Sequence, residues 1–190
     1  MKSIIILLLI HSVFCEAQKT ISLDQAYQYS KSEDGIPEDV TYVKDVDNRL
    51  DKFTGTWKGS YGDKIYEITF EKVINNGGSE IYWDKVYGKL LVRSNEGDIL
   101  YNSMNSTISD NNILYGINFQ KNVYMLNFIN NTSCNDEGVV FIEITKSSPN
   151  KMTLFFSRDR EILFNIKENC PNYETYVPLL PSEKMILTKQ

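Results

Sequence analysis

Histidine is almost missing from this chain. The one histidine, His11, lies in the N-terminal apolar segment, so a mature protein without that segment has none. That excludes Ser-His-Asp and Cys-His nucleophile activation and zinc sites built on imidazole. Neither a metal nor a cofactor is expected. Cysteine is rare, at three in 190 residues, and alanine is rarer still, which argues against a helix bundle. No run beyond the N-terminus approaches the roughly 20 apolar residues of a membrane-spanning helix. Lys and Arg total 20 against 25 Asp and Glu, and the net charge of −5 disfavours a phosphate-tracking surface and anionic lipid. Nucleic acid is not an expected partner.

What is abundant is Tyr, Phe, Ile, Val and Thr, the residues of a pleated, half-buried surface. The length suits one domain. In "FTGTWKGSYGDKIYEITFEK" Gly55, Trp57 and Gly59 share a face, and after the Gly62 turn Tyr66, Ile68 and Phe70 alternate with Glu67, Thr69 and Glu71. This pattern is that of a β-hairpin. Further strands are expected at Ile81–Arg93, Asp98–Asn102, Ile113–Phe119, Val123–Asn130, Val139–Lys146, Met152–Ser157, Glu161–Ile166 and Lys184–Lys189. Their joints are short and turn-like. The fold class is therefore all-β: a mostly up-and-down antiparallel barrel or strongly curved sheet of about 8–10 strands. Its first strand, at Trp57, should pair with its last, Met185–Lys189, because closure removes two edges that invite aggregation.

The opening "MKSIIILLLIHSVFCEAQ" has Lys2, an apolar run Ile4–Ile10 and then small and polar residues. It reads as a signal peptide over residues 1–17. Cleavage after Ala17 follows the A-x-A-like pattern with Cys15 and Ala17. The alternative is lipidation of Cys15, although Phe14 and Ser12 stand where a lipoprotein signal carries small and aliphatic residues. The protein is thus expected to be exported: periplasmic, tethered to the outer membrane through that lipid, or secreted. In either case Cys134 and Cys170 remain as a pair in an oxidising compartment, and a disulfide is expected, two free thiols being the alternative. In a ten-strand meander their joints fall at opposite ends of the sheet. The Pro-containing segment Lys167–Pro181 would then have to run back to bring them within the roughly 7 Å a disulfide needs.

Residues 18–52 are polar and acidic, and 53–190 form the barrel-like domain. Ser22-Leu-Asp-Gln25 has the form of a capping box, so a short N-terminal helix is expected. Val40–Lys44 reads as a short extended piece. Leu50 and Phe53 fall on one face of a helical turn that plugs one end of the sheet. The alternate carboxylates Asp45, Asp47 and Asp51 resemble a calcium loop only superficially, since Arg49 interrupts them and Leu50 and Thr56 stand where an EF-type loop has Gly and Glu. They read as a solvated acidic turn, as does Arg158-Asp-Arg-Glu161.

"FTGTWKG" resembles the opening strand of calycins, the lipocalin and fatty-acid-binding superfamily, whose Gly-x-Trp closes one end of the barrel. The export-like start ending near Cys15, "YVKD", "LDKFTGTWKG" and the closing "MILTKQ" together resemble a family of small exported Bacteroidota proteins of unknown function. The calycin resemblance implies a barrel with Trp57 near its floor. It implies no specific lipid, because the Arg of the final strand and the Arg-x-Tyr pair of those proteins have no counterpart here.

Three functions fit. The first is a non-catalytic binding module for a small apolar or amphipathic ligand, its pocket lined by Trp57, Tyr66, Ile68 and Phe70. The second is a structural or interaction protein with a filled core, presenting a face to an envelope partner; Trp57 is then a packed core aromatic. The third is a His-free hydrolase using carboxylates, but Glu67 and Glu71 lie about 13 Å apart along one strand, too far for a retaining pair, and nothing selects Glu143 as a partner. No catalytic residue is assigned.

Overall fold

A computed structural model describes residues 19–77, 81–159 and 166–190. The signal-peptide reading and Cys15 lie outside the described residues, as does all but Ile166 of the expected strand Glu161–Ile166.

The described chain runs β1 (Lys19–Ser22), α1 (Leu23–Tyr29), β2 (Val40–Lys44), a 3-10 turn (Asp51–Phe53), β3 (Gly55–Tyr61), β4 (Lys64–Gly77), β5 (Tyr82–Ser94) and β6 (Ile99–Asn102). It continues with β7 (Leu114–Gln120), β8 (Val123–Asn131), a second 3-10 turn (Thr132–Cys134), β9 (Asp136–Glu143), β10 (Lys151–Arg158), the single turn α2 (Ile166–Asn169) and β11 (Met185–Lys189). Eight of these strands, in the order β5-β4-β3-β11-β10-β9-β8-β7, close into an antiparallel barrel when β7 pairs with β5. As expected, β11 pairs with the Trp57 strand, Lys189 opposite Trp57.

The alternation that wrote the strands also sorts the side chains. Trp57, Ile68, Leu90, Leu126, Val140, Leu154 and Leu187 point inward and are fully buried. Helix α1 forms where the capping box foresaw it: Gln25 N–H donates to Ser22 Oγ at 3.1 Å and Ser22 N–H to Gln25 Oε1 at 2.8 Å. Its Leu23 and Ala26 join the barrel core, as do Ile21 of β1 and Val43 of β2. Both early strands are parallel additions, β1 to β2 and β2 to β5. The polar composition of residues 18–52 gave no sign of β1.

Strand β5 is the busiest element. One edge is covered by β4 along its length; the other is shared by β2 at Tyr82 and Trp83, β7 at Tyr87 and Gly88, and β6 from Leu91 to Arg93. The closing seam with β7 therefore has two register pairs only, Tyr87 with Tyr115 and Gly88 with Leu114. Glycines let it close. A Cβ on Gly88 would come within 2.7 Å of the Phe70 ring and 2.8 Å of Leu114 Cδ1. At Gly116 the space of a Cβ is taken by the Val86 carbonyl and by Tyr124 Oη, which accepts a 3.0 Å bond from Val86 N–H. A side chain thus continues the ladder where the strands part.

The strand count needs correction. Strand β10 pairs directly with β11, so no strand separates them. The β8–β9 and β10–β11 joints then lie at the same end of the barrel, and Cys134 and Cys170 meet with Cα atoms 5.1 Å apart in the expected disulfide. The back-running path along the sheet is not required; the 170–184 part of the joint lies at this end and covers it.

Gly116→Ala is expected to destabilise the domain by about 2–4 kcal/mol, because backbone as well as a side chain occupies the site. Urea unfolding measures this, and a midpoint unchanged from wild type would show that the seam is looser than described.

Candidate functional site

The residues expected to line a pocket do face the barrel interior, where they are packing. Trp57 and Ile68 are 0 % exposed and Tyr66 and Phe70 are 1 %. Of the four, Tyr66 reaches an opening, a cleft of about 280 Å³ that it lines with Tyr61, Lys64, Pro178 and Leu180 where the chain crosses the barrel mouth.

Both ends of the barrel are sealed. At one, Leu50 and Phe53 are the expected plug: Phe53 packs against Phe119 and Tyr124 at ring-centroid distances of 6.1 and 5.7 Å, and its carbonyl accepts from Trp57 Nε1 at 2.7 Å. The acidic turn before it is not simply solvated. Asp45 is buried, accepts from Arg49 N–H at 2.8 Å and Leu50 N–H at 3.0 Å, and pairs with Lys72 at 2.9 Å. Behind it the buried Asp84 accepts from Tyr42 Oη at 2.5 Å, Asp45 N–H at 2.9 Å and Asn75 N–H at 3.0 Å. These carboxylates have protein donors for ligands, and they hold the plug.

At the other end the 170–184 segment lies across the mouth as a strap. Tyr66 Oη donates to Leu179 O at 3.0 Å, Lys64 Nζ to Pro178 O at 3.0 Å, and Phe156 N–H to Pro181 O at 2.8 Å. Its clasp is Asp136, 0 % exposed, whose Oδ2 accepts from Asn130 Nδ2 at 2.8 Å, Tyr176 Oη at 2.8 Å and Leu179 N–H at 3.1 Å. Among the described residues Asp136 Oδ1 and Asn135 Oδ1 are buried without partners, a cost the fold carries here. Arg158 is likewise no solvated turn: it donates to Asn135 O and Cys134 O, both at 2.8 Å, beside the disulfide. Sequence reasoning missed Asp136, whose neighbours in sequence are unremarkable and whose partners come from β8 and from the distant strap. A cleft of about 520 Å³ opens beside Asn135, Arg158 and Tyr173, but its guanidinium and the Asn135 amide nitrogen are already engaged with backbone carbonyls.

The opening with free chemistry lies outside the barrel. The loop between β6 and β7 curls over the outer face of β7 and β8 and leaves a groove of about 440 Å³. Its apolar wall is Ile108, Ile113, Tyr115 and Ile129, the last two 39 % and 45 % exposed. Its polar rim is Ser109, Asp110, Asn111 and Asn127. Asp110 Oδ2 is engaged by Thr107, whereas among the described residues the Asn111 and Asn127 side-chain amides have no hydrogen-bond partner. Tyr115 is flanked by two neighbours: the Tyr87 ring stands perpendicular to it with centroids 4.8 Å apart, and Lys85 Nζ lies 4.9 Å from its ring centre. Burial pushes the Lys85 amine down, and Tyr115 offsets part of that shift. None of these residues stood out in the sequence, because the groove is made by register: Tyr115 lies opposite Asn127.

Glu67 pairs with Lys58 at 2.9 Å and Glu71 with Lys89 at 3.2 Å on the outer face, and Glu143 is registered against Thr153. Among the described residues no cluster of three or more His, Cys, Asp or Glu could hold a metal ion. Nor is any described helix long and apolar enough to cross a membrane.

The whole chain, residues 1–190, matches the sequence pattern of DUF6705, a family of unknown function. The chain belongs to this family. No curated protein and no solved structure matches it. Family membership agrees with the likeness noted across most of the sequence, and the function has to be argued from the geometry of this DUF6705 barrel.

Two outcomes follow from the sealed ends. Burial raises Tyr42, Tyr101 and Tyr176 to about 12, with Asp84 adding to the first and Asp136 to the other two. Burial raises Tyr66, Tyr87 and Tyr124 further. An unfolded tyrosine ionises near 10, so above that pH the unfolded chain releases protons that the folded chain keeps, and stability falls as pH rises from 10 towards 12. Tyrosinate absorbance of the buried rings is expected to appear together with loss of near-UV circular dichroism; ionisation near pH 10 with the fold intact would contradict their burial. Second, the disulfide spans 36 residues, and replacing both cysteines by serine is expected to cost about 4 kcal/mol in urea unfolding. Two alkylatable thiols in protein isolated under non-reducing conditions would show that the bond does not form.

Proposed function

We propose that this protein is a non-catalytic, exported binding domain that works through its outer surface and uses its barrel as a rigid frame. The observation that carries this reading is the filled interior: Trp57, Ile68, Leu90, Phe128 and Leu154 are all 0 % exposed, and both mouths are covered by bonded segments. A carrier of the lipocalin kind needs an internal cavity of several hundred Å³. The interaction reading needs none. Export is supported by the disulfide, which persists in oxidising compartments, and by the signal-like N-terminus. The absence of histidine after residue 11 and the separate, lysine-paired positions of Glu67 and Glu71 support a non-catalytic role. The partner is a molecule outside the barrel, an envelope protein or a small ligand, reached without a membrane-spanning helix and, where Cys15 is acylated, from a lipid tether.

The test is to enlarge one interior side chain. Ile68→Phe is expected to destabilise the protein by about 1–3 kcal/mol, because a packed core cannot take added volume without strain. Native mass spectrometry of the unaltered protein should show the polypeptide without a lipid. A neutral or stabilising Ile68→Phe, together with a stoichiometric apolar ligand in the spectrum, would return the function to the interior.

A further inference from the structure

The groove between the β6–β7 loop and the β7–β8 face has the composition of a site, and its chemistry narrows what it can take. We propose that it binds a neutral carbohydrate, with Tyr115 and Ile129 against the apolar face of a sugar ring and Asn111, Asn127 and Asp110 on its hydroxyls. This rests on the outer-surface reading and names its ligand class.

Four observations lead there. No Lys or Arg is among the lining residues and the Lys85 ammonium lies against the Tyr115 ring, so a phosphate or carboxylate would find no counter-charge in the lining itself. The rim offers two carboxamides, each both donor and acceptor, and both are without partners among the described residues; a lipid tail would leave them unsatisfied. A pyranose supplies what both walls lack: a face of C–H bonds for the aromatic and aliphatic side, and hydroxyls that donate and accept for the amide side. Third, the floor is the face of two strands already paired with each other, Tyr115 opposite Asn127 and Gly116 opposite Leu126. A peptide adding as a strand needs an unpaired edge, which this floor does not present. Fourth, the volume of about 440 Å³ falls in the small-molecule range of roughly 300–1,000 Å³.

The ring is also prepared for the task. A stacking aromatic is useful where its orientation is set before the ligand arrives. Tyr115 is set by the perpendicular Tyr87 ring and by the Lys85 ammonium, yet remains 39 % exposed. Asp110 keeps one oxygen on Thr107 and so holds the loop wall in position, and its second oxygen has no hydrogen-bond partner among the described residues.

The experiment is a two-dimensional amide NMR titration of the full disulfide-bonded protein with neutral trisaccharides of glucose, mannose, galactose, xylose and N-acetylglucosamine, each to about 10 mM, a range that detects weak Kd values. At least one sugar is expected to shift the backbone amides of Asn111, Tyr115 and Asn127 saturably. Tyr115→Ala should weaken that sugar about tenfold or more, while Tyr115→Phe, which keeps the ring, should stay within about threefold. Thermal melts of both variants confirm that they fold. No shift of groove amides by any sugar overturns the proposal, as does sugar binding that survives Tyr115→Ala. Shifts of the same amides by a mixture of short neutral peptides and by no sugar would reassign the groove to peptide and overturn it too. These results are separable from the outer-surface reading, which fails only on an interior ligand: a sugar-negative protein with an empty, overpacking-sensitive interior loses the carbohydrate and keeps the frame.

Discussion

Strands β5 and β7 touch over two residue pairs, and that short contact decides whether the sheet is a barrel or an open ribbon. Without it β7 and β5 would each carry a long unpaired edge. The contact is possible because Gly88 and Gly116 bring backbone and rings closer than any side chain would permit. Past Gly116 the strands diverge, and the gap is filled by unlike parts: the Tyr124 hydroxyl on Val86 N–H, helix α1 packed on β7, and β2 paired with the start of β5. The N-terminal segment, polar as it is, therefore completes the barrel wall. Its apolar residues Ile21, Leu23, Ala26, Val40 and Val43 are buried in that wall.

Closure makes the interior a core, and the two caps keep it one. An eight-strand barrel has room for its own side chains or for one small ligand. Here aromatic rings settle the choice: Phe53, Phe119 and Tyr124 meet at one end, and Phe128, Phe156 and Tyr101 at the other. The caps are bonded to the strands by buried carboxylates, Asp45 and Asp84 for the plug and Asp136 for the strap. Each accepts backbone N–H groups that would otherwise be stranded in a loop. Removing either cap would expose aromatic surface, so the energetic interest of the fold is in keeping them shut. On the proposed reading, recognition is thereby displaced to the outside, where side chains are not needed for packing.

Local pattern made most of this fold legible. Alternation at Tyr66, Ile68 and Phe70, the Ser22–Gln25 capping box, and the Leu50–Phe53 plug are each written within a few residues, and each stands where it was read. Closure was legible from the need to pair the edge of the Trp57 strand. What failed was whatever depends on distant partners. The disulfide was read correctly from cysteine counting, yet its path was not, because a strand counted between β10 and β11 moved one joint to the wrong end. Asp45 and Arg158 read as solvated charges because charged runs in joints usually are; both are instead engaged by neighbours that the sequence does not place beside them. The interior residues proposed as a pocket were placed on the correct face, but alternation says which way a side chain points and nothing about whether the space opposite is filled. The groove was invisible for a related reason: Tyr115, Asn127 and Ile108 belong to three elements and meet only through register.

The seam and the groove are one piece of structure. Tyr115 is the residue through which β7 pairs with Tyr87 of β5, and its ring is the wall of the groove. The same register row continues across the barrel's outer face through Asn127 to Val139 and Ser157. A ligand resting on Tyr115 and Asn127 therefore rests on the strands that hold the barrel closed. Such a ligand binds only the closed form, since opening the seam would separate Tyr87 and Lys85 from the ring they orient. By linkage, binding in the groove must then stabilise closure in proportion to its affinity. The rigid, filled core earlier read as incompatible with an internal ligand is thus what an external one requires: it fixes the floor to which the groove's free amides are referred.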